Sequence, residues 1–208
     1  MNESSSAPMT SEDEEFTEFV PESRWPIALG TISILYASFG ILFMLITLVG
    51  VFLGPWLQAS LAGMEPVPVP PLLLVGQATL ALAGLILGFI LLIGGILTIK
   101  RRSKGPKLIS LWVVTRLGLL LLGMAFAFMT LDLNLKYQER VQDAVVELMR
   151  NNDVPEDQIQ ANIPGQGATR QTMITWTLAF GGILAIYPVI AGLTLSGRKV
   201  REEVRGWN

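Results

Sequence analysis

Four stretches of this chain are apolar almost without interruption: 27–53, 72–99, 108–131 and 173–195. A bilayer core about 30 Å thick needs roughly 20 apolar helical residues to cross it. A buried helix of a soluble domain has no reason to be apolar all round for that length. Each stretch is therefore expected to be a transmembrane helix, and the fold class is all-α, an integral membrane four-helix bundle. Composition agrees. Charged residues make up 15% of the chain and hydrophobic residues 51%, whereas a soluble domain carries about 25% charged. The first stretch does not read as a signal peptide, because an acidic segment precedes it and its apolar run is too long.

The charges lie in blocks between these stretches. Lys100, Arg101, Arg102, Lys104 and Lys107 crowd the second connection with no acid among them. Arg198, Lys199, Arg201 and Arg205 follow the fourth stretch, and the 54–71 connection has no cation. The 132–171 segment carries four cations against seven acids. Lys and Arg are retained in cytoplasmic loops, so both termini are expected in the cytoplasm, with the first and third connections outside. The cluster from Lys100 to Lys107 is first an orientation signal. It is also the expected contact for membrane lipids with anionic head groups at the inner face, at about 1 kcal/mol per cation. Outer segments with neither cysteine nor a glycosylation sequon fit a bacterial plasma membrane.

The chain has no cysteine and no histidine. Thiol nucleophiles, disulfides, Cys/His metal sites and imidazole acid–base chemistry are excluded. No catalytic residue, metal site or cofactor is expected, and no nucleic-acid partner.

Two polar side chains sit inside apolar stretches. Arg116 lies four residues beyond Trp112, a residue type that marks membrane interfaces. Its side chain can snorkel toward the head groups and bond to carbonyls, or act as a polar clamp or substrate contact. Arg116, Gly123 and Thr130 recur every seven residues, which marks one face of the third helix. Gln77 sits near the outer end of the second stretch, at a depth expected to keep it from sharing a site with Arg116. Gly84, Gly88 and Gly95 on the second helix, with Gly123 on the third, are the expected helix-packing positions, where small residues let backbones approach. Pro188 should interrupt the fourth helix and free a carbonyl that a neighbour must satisfy. The segments Gly95–Arg101 and Gly192–Arg198 look alike, which allows a duplication of helical hairpins.

After 131 the pattern turns amphipathic. Leu135, Val141, Val145 and Leu148 form an apolar stripe, and Glu139, Asp143 and Glu147 an acidic ridge. The third helix is expected to continue to about Arg150. Asp153 then reads as the cap of a short helix ending near Asn162, with Glu156 three residues on. The Gly-containing stretch Pro164-Gly165-Gln166-Gly167 is a return linker. Pro55-Trp56 reads as an interfacial turn, and Pro66 to Pro71 as a polyproline-like passage. Residues 1–24 are expected to be a disordered acidic tail, and 200–208 a basic tail.

A small first loop, a tiny inner loop and a larger second outer loop resemble the tetraspanin layout in architecture alone; the cysteine motif of that family has no counterpart here. The expected function is non-enzymatic: a multi-pass protein that scaffolds or assists a membrane-protein partner, or a homo-oligomer, through its bundle and outer helical segment. A small channel or transporter subunit is the alternative, and a membrane enzyme stands behind both.

Overall fold

The computed structural model describes residues 23–63, 65–162 and 170–207. The acidic segment up to residue 22 and the 163–169 linker lie outside the described residues. Seven helices follow in order: α1 (Trp25–Ala62), α2 (Pro71–Ile99), α3 (Lys104–Met129), α4 (Leu131–Asn151), α5 (Glu156–Asn162), α6 (Arg170–Ser196) and α7 (Arg198–Arg205). No strand occurs among the described residues. α1, α2, α3 and α6 are long and apolar enough to cross a membrane.

α1 runs 38 residues, about 57 Å at about 1.5 Å per residue, and passes straight through Pro55 to Ala62. The expected turn at Pro55-Trp56 is therefore absent. A proline removes one N–H and crowds the turn before it, yet the residues after it, from Trp56 to Leu61, are free to stay helical. Gly63 ends the helix instead, in the left-handed conformation at φ 69°, with its N–H bonded to the Ala59 carbonyl. α2 starts on the prolines, with Pro71 in the first turn where its missing N–H is harmless.

A very tight turn joins α2 to α3. Arg101 takes φ 51°, the Arg102 N–H bonds back to Leu97 O at 2.9 Å, and Gly105 lies against Thr98. A Cβ on Gly105 would come within 2.6 Å of the Thr98 hydroxyl oxygen. α3 and α4 are nearly one helix, broken at Thr130 (φ −100°, ψ 6°). The Thr130 hydroxyl donates to the Phe126 carbonyl at 2.8 Å, a back-bond that bends helices.

α4 ends in a left-handed residue, Asp153 at φ 56°, with the Val154 N–H bonded to Met149 O at 3.1 Å. Asp153 thus closes α4 and does not cap α5. The Pro155 carbonyl receives the first N–H groups of α5, from Gln158 and Ile159. α5 folds back against α4, and Ile159 is 1% exposed.

The helices pack in series, α1 on α2, α2 on α3 and α3 on α6. α1 and α6 meet through large side chains. The core comprises Leu29, Ala37, Leu87, Leu91, Ile109, Trp112, Val113 and Ala191. All of these lie toward the end that carries the basic turn. Outward-facing residues such as Leu35, Phe39, Ile46, Ile86 and Leu121 are exposed, as expected of helices bathed in hydrocarbon. The expected basic tail is instead a helix, α7, whose end returns to α1. Trp207 stacks on Trp25 with centroids 5.4 Å apart, and Trp25 Nε1 donates to Glu203 Oε2 at 2.6 Å.

Candidate functional site: a buried arginine at an intramembrane cavity

Small residues bring α1 and α2 together. A Cβ on Gly95 would lie 2.9 Å from Gly30 O, and one on Gly88 2.7 Å from Ile41 Cγ1. A Cβ on Gly84 would lie 3.0 Å from Met44 Sδ. Large residues set the spacing on the other side. Tyr36 of α1 stacks on Tyr187 of α6 at 4.6 Å, and Trp112 of α3 closes the group at 5.7 Å from each. Ser33 and Tyr187 share a 2.6 Å hydrogen bond.

Pro188 is buried beside this cluster. Its ring cannot donate to the carbonyl four residues back, that of Leu184, and the Tyr36 hydroxyl donates to that carbonyl at 3.3 Å. α6 consequently stays helical through the proline, and the freed acceptor is satisfied from α1. Tyr36→Phe is expected to lower stability by about 1 kcal/mol. The loss should shrink in a Pro188→Ala background, where Leu184 O regains a partner within its own helix. A double-mutant cycle by unfolding in bicelles measures the difference.

Beyond the aromatic floor the bundle loosens. A cavity of about 350 Å³ opens between all four long helices. α1 supplies Phe43, Met44 and Thr47; α2 Gln77, Leu80 and Ala81; α3 Arg116, Leu119, Leu120, Gly123 and Met124; α6 Thr177, Phe180, Gly181 and Leu184. Phe43 and Phe180, both exposed, are among the residues that line it. Arg116 is 8% exposed, and its Nε has no hydrogen-bond partner. On its other side, with Tyr36 and Trp112, is a void of about 20 Å³, space for one water.

Gln77 and Arg116 line one elongated cavity at different depths. Leu80 stands opposite Gly123 and Phe126 against Gly76, so Gln77 lies near the level of Phe126, about 15 Å from Arg116 along α3 at about 1.5 Å per residue. The cavity spans that distance. Gly123 seats no helix closely: the nearest atoms to a Cβ there are Leu80 methyls at 3.9 Å. A second cavity of about 440 Å³ shares Gln77, Leu80, Gly123 and Thr177 with the first, and continues past Thr130 to Asn134 and Gln138.

The basic residues are divided. Lys100, Arg102, Lys104 and Lys107 are exposed. Arg101 donates to the Ser23 carbonyl at 3.1 Å, pinning the start of α1. Lys107 joins Arg201 and Arg205 around a cavity of about 440 Å³ between α3, α6 and α7. The two look-alike helix ends pack differently, Gly95 on α1 and Gly192 against Val113 of α3.

No group of acids able to hold a metal ion occurs among the described residues. Fold and cavity define a class: an all-helical bundle with four helices fit to cross a membrane and a cationic side chain buried among them. Comparison with known proteins finds no matching family model, no matching curated protein and no matching solved structure.

Proposed function

We propose that this is a non-enzymatic multi-pass membrane protein that docks a helical partner segment on its outer side. It sits in a bacterial plasma membrane with both termini cytoplasmic. The basic turn and α7 face the cytoplasm and anionic head groups, while α4 and α5 project outward.

The observation that carries this reading is α4. Its 21 residues extend about 31 Å beyond α3 at about 1.5 Å per residue. Leu135, Val141, Val145 and Leu148 remain half-exposed along it, flanked by exposed Glu139, Asp143 and Glu147. Tyr137 on this face is a phenol, neutral near pH 7 in any case, and partial burial raises its pKa further from the ordinary value. A helix with an apolar stripe and flanking cations complements such a surface.

The chain has no native cysteine, so single cysteines report cleanly. At Glu65 and Glu156 they should react with an impermeant maleimide on intact cells, and at Lys104 only after permeabilisation. A photo-crosslinker at Val145 should capture one defined partner, and one at the exposed Lys136 markedly less. Equal capture at both positions, or reaction at 104 alone, would reject the reading.

A transport role is the second reading. It is favoured by the two adjoining cavities, which string Arg116, Gln77, Thr177, Thr130, Asn134 and Gln138 along the bundle. Solute or ion flux in proteoliposomes, abolished by Gly123→Leu, would favour it over docking.

A further inference from the structure

The geometry points to the Arg116 cavity as a binding site for a single-chain amphiphilic carboxylate. The carboxylate would sit on the guanidinium and the hydrocarbon tail would lie along the apolar walls. Arg116 brings a guanidinium cation, with N–H donors and no acceptor, into the bundle. None of the four long helices contains an acid. The ion pairs Arg150–Glu156 and Arg198–Glu202 lie in the outer and α7 segments. A buried charge without a partner is among the costliest features a fold can carry. A water in the small void beside Trp112 satisfies a donor but leaves the charge.

The cavity then selects the anion. About 350 Å³ is typical of a small-molecule site. Its apolar lining includes Met44, Leu119, Leu120 and Leu184, and the exposed Phe43 and Phe180. Arg116 is the one charged residue lining it, which suits a monoanion better than a phosphate dianion. The planar fork of a guanidinium matches a carboxylate with two parallel hydrogen bonds. A two-chain phospholipid needs more apolar room than this volume provides. A ligand of this kind enters sideways from the hydrocarbon, where such carboxylates are concentrated. Gln77, Thr47 and Thr177 line the cavity too and can bond a polar group further along the chain.

The test uses the whole protein in nanodiscs of zwitterionic lipid. The probe is a photoactivatable long-chain fatty acid, with the matching fatty alcohol and a photoactivatable anionic phospholipid as separate arms. Saturable labelling by the acid should map to the α3 peptide containing Leu120 and Met124. Half-saturation should shift upward about tenfold or more for the alcohol and for Arg116→Met, and less for Arg116→Lys. Gly123→Leu, which fills the cavity and keeps the arginine, should weaken labelling to a similar degree and covers the case in which Arg116→Met does not fold. Three results would overturn the assignment. They are equal labelling by acid and alcohol, unchanged labelling in folded Arg116→Met or Gly123→Leu, and tighter labelling of the same peptide by the phospholipid.

Discussion

Gly95→Leu is expected to unseat α1 from α2 and to destabilise the bundle by about 3 kcal/mol, the upper range for overpacking. The reason is the nature of the obstacle. A Cβ at 95 meets the Gly30 carbonyl oxygen at 2.9 Å, with Ser33 Cβ and Ile34 Cγ1 at 3.0 Å. A backbone atom cannot swing aside as a long side chain can, so the whole helix must move. Lipid tails supply little drive to keep helices together, and close van der Waals fit carries the association. Gly118→Leu is the control. Nothing lies within 4 Å of a Cβ there, and its cost should stay within about 0.5 kcal/mol. Unfolding free energies by steric trapping in bicelles give both values. Similar costs at 95 and 118 would mean that the α1–α2 contact does not depend on backbone approach.

Trp112→Ala should cost about 3 kcal/mol, the low end for buried aromatic truncation. The low end applies because hydrocarbon solvates exposed apolar groups as well as protein does, which removes most of the transfer contribution. The lost packing remains. Trp112 is 2% exposed and touches both tyrosines that bridge α1 to α6. Its removal therefore loosens two helix contacts at once. Trp176 is the comparison, since it is 56% exposed and lies tilted against Phe180 of its own helix at 5.4 Å. Trp176→Ala should cost less than about 1 kcal/mol. The same bicelle measurement applies, and equal losses at the two tryptophans would contradict a core centred on the aromatic group.

The bundle's overall form was legible because hydrocarbon imposes a simple requirement. A helix that crosses it must be apolar for its whole length, and such runs are visible by inspection. Helix ends were less legible. Pro55 looked like a stop, but proline disturbs only the turn before it, and Gly63 eight residues later supplies the left-handed residue that ends α1. Asp153 looked like a cap because Glu156 stands three residues on. The same spacing serves a residue that closes the preceding helix, and only φ distinguishes the two. The break between α3 and α4 lies in the Thr130 backbone angles, which no periodicity records.

The cavity was half legible. The spacing of Arg116, Gly123 and Thr130 does mark one face of α3. A stripe of small residues either seats a neighbour or leaves a gap, and the choice rests with side chains on other helices. Opposite Gly95 stands a glycine, so the backbones meet. Opposite Gly123 stands Leu80, just out of reach, so space remains. Depth along one helix likewise could not show that Gln77 and Arg116 open onto a shared void.

The stacked pair Trp25 and Trp207 has a consequence for biosynthesis. Trp25 leaves the ribosome long before Trp207, by roughly 10–40 s at elongation rates of about 5–20 residues per second. Throughout that interval the Trp25 end of α1 stays unlatched. Nascent chains that stall before α7 keep Trp25 bare, so the latch closes only on finished molecules.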